Sequence, residues 1–382
     1  MKQGKDHGKK HRRNMSQPDP HIIISGGGTG GHIFPALAIA RALKDMLPSA
    51  QILFIGAKGR MEMEKVPAAG FQIRGLWISG LRRELSMDNL MFPFKVIIST
   101  IKSIFIIKKF KADVAVGVGG YASGPALRAA SLLGIPTVLQ EQNSYPGITN
   151  KMLGKKAHRI CVAYEGMDKF FRADKIVLTG NPVRKEMIET AGKRKAAGEF
   201  FGLDPAKMTV FIVGGSQGAL SVNLCIESML PELKERNIQM IWQTGKNFMQ
   251  RAEESCSKSG CTSIRVLDFI QQMDLAYALA DVVISRAGAI AIAELALVGK
   301  PVIFIPLPTA AEDHQMKNAR RLADKGAAIV VHDKRARAEL PGLLYELMAN
   351  EEKQRALSAG IRHFAAADAD KKIAEEIIKL IP

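Results

Sequence analysis

One unit occurs twice in this chain, and it restricts the fold more than any other feature. His21–Ser25 (HIIIS) is a β-branched run that ends in Gly26-Gly27-Gly28-Thr29-Gly30-Gly31, and a helical stretch, Ile33–Leu47, follows. About 190 residues later Thr209–Val213 (TVFIV) runs into Gly214-Gly215-Ser216-Gln217-Gly218 and another helical run, a period too long for a solenoid. Further strands are expected at Gln51–Ile55, Val114–Val118 and Thr137–Leu139, then at Met240–Gln243, Ile264–Leu267, Val282–Ser285 and Pro301–Ile305. Strands alternating with helices build parallel sheets covered on both faces. The fold class is therefore α/β, with two Rossmann-like domains whose parallel sheets face each other across a cleft. The boundary belongs between Asn181 and Met208, where Lys193–Lys195 and Asp204-Pro205 interrupt the apolar pattern. This gives domains at residues 21–183 and 184–364. The amphipathic stretch Asp370–Ile381, within about 365–382, is expected to return to the first domain.

Charge narrows the partners. The chain holds 54 Lys and Arg against 37 Asp and Glu, a net charge of +17. An anionic partner follows: nucleic acid, anionic lipid or a phosphorylated substrate. No nucleic-acid-binding signature is present, and 6% aromatic residues offer little stacking surface, so no nucleic acid is expected. Cys161, Cys225, Cys256 and Cys261 lack CxxC spacing, and no His is placed to complete a zinc site. That pattern suits free thiols in a reducing compartment and no bound metal. Residues 1–20 are basic without an apolar core, which reads as a disordered tail, not a signal peptide.

Leu90–Ile107 (LMFPFKVIISTIKSIFII) has about the length of a membrane span. Pro93, Lys95 and Lys102 argue against spanning, since each mid-membrane lysine costs roughly 2.5–3.5 kcal/mol. Phe94, Ile97, Ile98, Ile101 and Phe105 follow helical spacing, with Lys95, Lys102 and Lys109 on another face. The first expectation is an amphipathic helix whose apolar stripe packs on a sheet. The second is contact with a membrane surface.

The first glycine loop matches G-x-G-x-x-G between a strand and a helix, where backbone N–H groups can cradle phosphate. A dinucleotide site is disfavoured, because the second strand ends Phe54-Ile55-Gly56-Ala57 with no acid for a ribose. Gly117–Pro125 (GVGGYASGP) and Gly214–Ala219 are further strand-to-helix glycine turns. Several such turns make a surface rich in oriented N–H donors. In Ser285–Glu294 (SRAGAIAIAE) a strand ends, a small-residue turn follows, and Glu294 sits near a helix start. That carboxylate either complements the helix dipole or accepts hydrogen bonds from a ribose diol. Glu312-Asp313-His314-Gln315 and Asn318 form a polar cluster suited to sugar hydroxyls or to ordinary helix-start chemistry.

GGGTGGH-IFPALA at 26–38, GVGGYASGP at 117–125, QEQNSYPGITNK at 140–151, GNPVR at 180–184, GGSQGA at 214–219, SRAGAIAIAE at 285–294 and HQMKNA at 314–319 occur in this order. Together they resemble the MurG-type peptidoglycan N-acetylglucosaminyltransferases, and the resemblance runs from His21 onward. It implies the two-domain GT-B glycosyltransferase fold. It also implies transfer of N-acetylglucosamine from UDP-N-acetylglucosamine to the muramyl 4-hydroxyl of undecaprenyl-linked lipid I, with inversion, giving lipid II and UDP. A place in a cell-wall synthesis complex, peripheral on the cytoplasmic face of the cell membrane, follows from the same resemblance.

The resemblance also assigns roles. Glu294 would bind the ribose, and Phe269 and Ile270 the uracil, largely through backbone groups. Ser216 and the turn Gly288-Ala289-Ile290-Ala291 would hold the diphosphate, with Arg184 reaching the nucleotide. Gln315 and Asn143 would read the sugar hydroxyls, and Thr29, Gly30, Gly31 and His32 would reach the donor from the first domain. His32, Gly119, Gly120, Tyr121 and Glu141 would line the acceptor side. Ala291 stands where the family often has Thr, so backbone must serve there. Gln140 stands where a His is frequent, so no catalytic histidine acts at that position.

Inversion needs one base, and His32 is preferred because an unperturbed imidazole titrates near neutrality. Glu141 is second. The only DxD triplet, Asp368-Ala369-Asp370, lies near the C-terminus and reads as a helix start. No metal or other cofactor is expected; loop N–H groups and helix dipoles would stabilise departing UDP. Trp77, Ile78, Leu81, Arg82, Arg83, Phe92, Phe94 and Lys95 interleave large apolar groups with cations, a mixture suited to an anionic membrane surface. The alternative activity is a UDP-N-acetylglucosamine 2-epimerase on a related fold, which would share the donor site but need no lipid-facing patch.

Overall fold

A computed structural model describes residues 19–80, 91–183, 189–215 and 217–382. The expected tail at residues 1–18, Leu81, Arg82, Arg83, Arg184 and Ser216 lie outside the described residues.

The first sheet contains β1 (His21–Ser25), β2 (Gln51–Ala57), β3 (Gln72–Leu76), β4 (Val114–Gly117), β5 (Thr137–Glu141), β6 (Arg159–Val162) and β7 (Ile176–Leu178). Their order is β3-β2-β1-β4-β5-β6-β7, and every pairing is parallel. The second holds β8 (Thr209–Val213), β9 (Gln239–Gln243), β10 (Ile264–Leu267), β11 (Val282–Ser285), β12 (Val302–Phe304) and β13 (Ile329–Val330). It repeats the arrangement as β10-β9-β8-β11-β12-β13, again all parallel. Both are doubly wound Rossmann-like sheets, as the repeated unit requires.

Alternate residues of each central strand feed different cores. Ile22, Ile24, Val114 and Val116 face one layer of the first domain, and Ile23, Ala115, Leu139 and Ile160 the other. Val210 and Ile212 oppose Phe211 and Val283 in the same way in the second. Burial on both faces explains the nearly continuous apolar strands. The last helix, Ala369–Ile378, puts Ile373, Ala374 and Ile377 into the first domain's core beside the helix Gly30–Met46.

The helix Phe92–Phe110 reverses the first expectation for it. Its apolar stripe faces outward: Phe94 is 59% exposed, Ile97 57%, Ile98 48%, Ile101 50% and Phe105 69%. Its buried side carries Lys95, Ser99, Thr100, Ser103 and Ile107. Those polar groups find partners inside. Ser99 Oγ donates to the Trp77 carbonyl at 3.0 Å, Lys95 Nζ to Ser79 Oγ at 3.2 Å, and Ser103 Oγ to the Ser99 carbonyl at 2.7 Å. The helical period was right and its direction was not, because periodicity fixes a stripe but not which stripe meets the partner. Two surface assignments change with it. Lys95 (7% exposed) and Ile78 (6%) are interior residues, while Trp77 and Phe94 remain outside and Phe92 is half-buried.

Candidate active site

Each sheet changes winding direction once, between β1 and β4 and between β8 and β11. Ligands of doubly wound sheets bind outside the carboxyl ends of the strands at such points. The turns that leave these four strands are the glycine turns and the small-residue turn 286–288. The two helices that begin there, Gly30–Met46 and Ala289–Val298, approach each other across the domain boundary. One cleft is therefore lined by both switch points.

Close backbone contact shapes the first switch point. Gly27, Gly28, Gly119 and Gly120 have φ of 155°, 87°, 92° and 83°, conformations that L side chains rarely adopt. A Cβ on Gly120 would lie 2.1 Å from the Gly27 carbonyl oxygen, and one on Gly119 2.6 Å from the His32 ring. The buried carboxylate of Glu62 locks the loop from behind. It accepts the Gly28 N–H at 3.0 Å and the Ala57 N–H at 2.9 Å. Thr29, Gly30 and Gly31 then open a helix, where N–H groups aim along the axis and favour an anion.

His32 stands in the first turn of that helix, with Nδ1 3.1 Å from Thr29 Oγ1. Burial pushes its imidazole down to about 4; a hydrogen bond to the Gly27 backbone opposes the shift, and His314 of the second domain adds to it. It is neutral at pH 7 and able to accept a proton. The Tyr121 ring lies over the loop, 3.6 Å from the position of a Cβ on Gly28. Glu141, at the end of β5, is differently placed. Its carboxylate accepts the Asn143 N–H at 3.0 Å, Asn143 Nδ2 at 3.2 Å, Asn150 Nδ2 at 2.8 Å and the Gly147 N–H at 3.3 Å. Burial raises its carboxyl, and these donors pull it back. Such a group shapes the loop 142–150, which leaves His32 the better placed of the two for proton transfer.

In the second domain, Gly218 and Gly245 interlock. A Cβ on Gly218 would lie 1.9 Å from the Thr244 carbonyl oxygen. Gly288 caps the helix Ala289–Val298, and a Cβ there would meet nothing within 4 Å, so the helix start opens onto space at Gly288. Glu294, one turn in, is 3.3 Å from the Tyr277 hydroxyl. The N–H groups of Phe269 and Ile270 already have partners, Asp268 Oδ1 at 2.7 Å and Gln243 Oε1 at 3.0 Å. A base at this turn would therefore meet the exposed Phe269 ring and backbone carbonyls rather than N–H donors. Gln315 Oε1 accepts the Leu307 N–H at 2.9 Å. Just before it, Glu312 and Asp313 both have φ of 53°, strain that tends to gather at functional sites.

The domains are joined by side-chain pairings that the sequence does not display. Asn318 Oδ1 accepts the Ser144 N–H and Oγ, both at 2.9 Å, and Asn318 Nδ2 donates to Asn143 Oδ1 at 3.1 Å. Asn143 thus meets the second domain directly. Asn181 Nδ2 reaches the Ala289 carbonyl at 3.4 Å, while its Oδ1 accepts Gln140 Nε2 at 3.0 Å. Gln140 in turn touches Gln142, which donates to the Val118 carbonyl at 2.7 Å. A buried polar chain therefore connects the second glycine turn to the start of the facing helix. Glu62 and Asn181 were given no role from sequence, and His314 and Asn318 were singled out only as members of the polar cluster after Ala311. Asn181 carried one signal, a polar residue directly after Gly180 where the chain crosses between domains; Glu62, in the charged stretch RMEMEK, carried none. Among the described residues, no group of three His, Cys, Asp or Glu is placed to hold a metal ion.

The comparisons agree with this architecture. The glycosyltransferase family 28 N-terminal domain matches residues 22–162, and the family 28 C-terminal domain matches residues 209–376. The UDP-N-acetylglucosamine--N-acetylmuramyl-(pentapeptide) pyrophosphoryl-undecaprenol N-acetylglucosamine transferase of Cytophaga hutchinsonii is 53% identical over 368 residues, covering 96% of this chain and 99% of that protein. The crystal structure of Acinetobacter baumannii MurG superposes with a TM-score of 0.75 at 30% identity, covering 94% of this chain and 99% of that one. UDP-GlcNAc 2-epimerase from Neisseria meningitidis, bound to UDP-GlcNAc, reaches a TM-score of 0.67 at 14% identity, covering 94% and 100%, and shares the fold alone.

Proposed function

The chain belongs to glycosyltransferase family 28, with MurG-type transferases as its relatives, and from that premise we propose a division of labour between its two domains. The protein is a hexosyltransferase that moves N-acetylglucosamine from UDP-N-acetylglucosamine to N-acetylmuramyl-(pentapeptide) pyrophosphoryl-undecaprenol. The observation that carries this reading is the meeting of two switch points on one cleft; we assign one to the nucleotide donor and the other to the diphosphate-bearing acceptor.

In the second domain, the turn Gly288–Ala291 receives the donor diphosphate on backbone N–H groups; Ser216 and Arg184, to which the family resemblance gives parts in the same site, lie outside the described residues. Glu294 takes the ribose, the Phe269–Ile270 turn the uracil, and Gln315 with Asn143 the sugar. In the first, the turn through Gly119, Gly120 and Tyr121 holds the acceptor diphosphate, while the N–H groups of Thr29, Gly30 and Gly31 reach the donor from across the cleft. His32 removes the proton from the attacking hydroxyl as the glycosidic bond to UDP breaks. Oriented N–H groups and helix dipoles stabilise the charge that develops on departing UDP. Glu141 holds the loop that presents Asn143.

The acceptor's lipid tail brings the protein to an anionic membrane surface from the cytoplasmic side. The outward face of Phe94, Ile97, Ile98, Ile101 and Phe105 supports this, as an apolar patch of this kind marks an interaction surface. Among the described residues no helix is long and apolar enough to cross a membrane. The patch and the family also favour transfer over epimerisation. Incubation with UDP-N-acetylglucosamine alone should leave the sugar unepimerised, and transfer should persist in EDTA. Epimerisation without acceptor, or turnover lost to EDTA and restored by magnesium, would contradict the reading.

A further inference from the structure

An apolar groove of about 370 Å³ starts beside the first switch point. Its floor is the helix Ser123–Leu132, whose Gly124, Ser131 and Leu132 lie along one side, and Phe92, Val96 and Met152 form its walls. From Gly124 to Leu132 the groove follows the helix for about 12 Å at 1.5 Å per residue. Tyr121 lines its near end. The same ring packs over Gly28, so a single side chain separates the groove from the glycine cradle. Arg128, Lys155 and Lys156 stand on the rim. The outward apolar face of Phe92–Phe110 continues from the wall on which Phe92 and Val96 sit.

We infer that this groove binds the first isoprene units of the acceptor's polyprenyl chain. The inference rests on the acceptor proposed above. In such an acceptor the diphosphate is bonded directly to the first prenyl carbon, so the chain must leave the anion site within a bond or two. Tyr121 is what it meets there, and the groove is the apolar path beyond. Basic rim residues complement the diphosphate, and burial of the chain supplies apolar transfer energy. The groove then fixes the direction in which the chain runs toward the membrane. It thereby sets the acceptor's register against His32.

The test compares farnesyl diphosphate with methyl diphosphate as ligands of the full chain, by calorimetry in buffer free of detergent and vesicles. The farnesyl compound should bind about tenfold or more tightly. Ser131→Trp, which fills the floor, and Met152→Glu, which charges the wall, should each erase that preference and leave methyl diphosphate binding unchanged. Retained methyl diphosphate binding also reports that each variant is folded. Equal affinity of the wild type for the two ligands would overturn the inference. So would a preference that survives both variants, or equally potent displacement of farnesyl diphosphate by short-chain phosphatidylglycerol. A wild type that binds farnesyl diphosphate preferentially yet transfers no sugar to a muramyl-pentapeptide acceptor would instead fault the functional reading.

Discussion

His32 and Glu141 show how environment assigns different work to two residues that the sequence treats as rivals for one role. Burial keeps His32 neutral down to about pH 4, while four hydrogen bonds commit the Glu141 carboxylate to its own loop. An unfolded histidine titrates near 6.5, so between about 6.5 and 4 the unfolded chain binds more protons at this site. The His32 contribution to stability is therefore present above 6.5 and falls as pH drops to 4, by about 3 kcal/mol. His32→Gln should remove that part of the pH dependence in denaturant titrations. It should also lower kcat by about 10²–10⁴-fold. A wild-type-minus-variant difference that stays flat over this pH range would contradict the assignment. At this scale the sequence displayed the glycines and His32, because their types are unusual before a helix. It hid Glu62, since an acid in a surface-type helix gives no sign that its carboxylate turns inward to hold Gly28.

Strands and turns were legible where burial on both faces leaves an apolar run. β1, β8, β10 and β11 lie where the sequence puts them. β3, β6, β7 and β13 escaped notice. β3 (QIRGL) and β7 are edge strands, and β13 is an edge pair of residues; one exposed face removes the continuous apolar signal. The helix Phe92–Phe110 failed in another way, by presenting its apolar stripe to the outside. An exposed apolar face adds little to folding stability, so its worth must come from contact. Replacing Phe94, Ile97 and Phe105 together by Ser should leave thermal stability nearly unchanged, because these side chains are already exposed. Binding to anionic vesicles in sedimentation should fall at least about tenfold, since each apolar side chain contributes roughly 1.5–3 kcal/mol when buried. Unchanged vesicle binding with intact folding would remove this helix from the membrane account.

Across the whole molecule, two similar sheets are set so that both switch points open on one cleft, and a few amides hold them there. The sequence displayed the duplication. It could not display the pairing of Asn318 with Ser144 and Asn143, which depends on how the domains dock. Asn318→Ala leaves buried donors and acceptors unpaired, a cost of about 1–3 kcal/mol. The variant should show a larger radius of gyration in solution scattering and a raised donor KM; identical scattering and KM would mean the contact does not hold the cleft. The net charge of +17 also gains a location. The tail contributes +4 and residues 71–111 a further +6, the latter in the region that carries the apolar patch. The central claim is sugar transfer from one switch point to the other. Its most direct measurement follows label from UDP-[14C]N-acetylglucosamine into the lipid fraction, with and without a muramyl-pentapeptide diphosphoryl-prenol acceptor. The account predicts acceptor-dependent label in a β-linked product with wild type, and a severe loss in Glu294→Ala. Label that never enters the lipid fraction, from a wild-type protein that binds the donor, would contradict it.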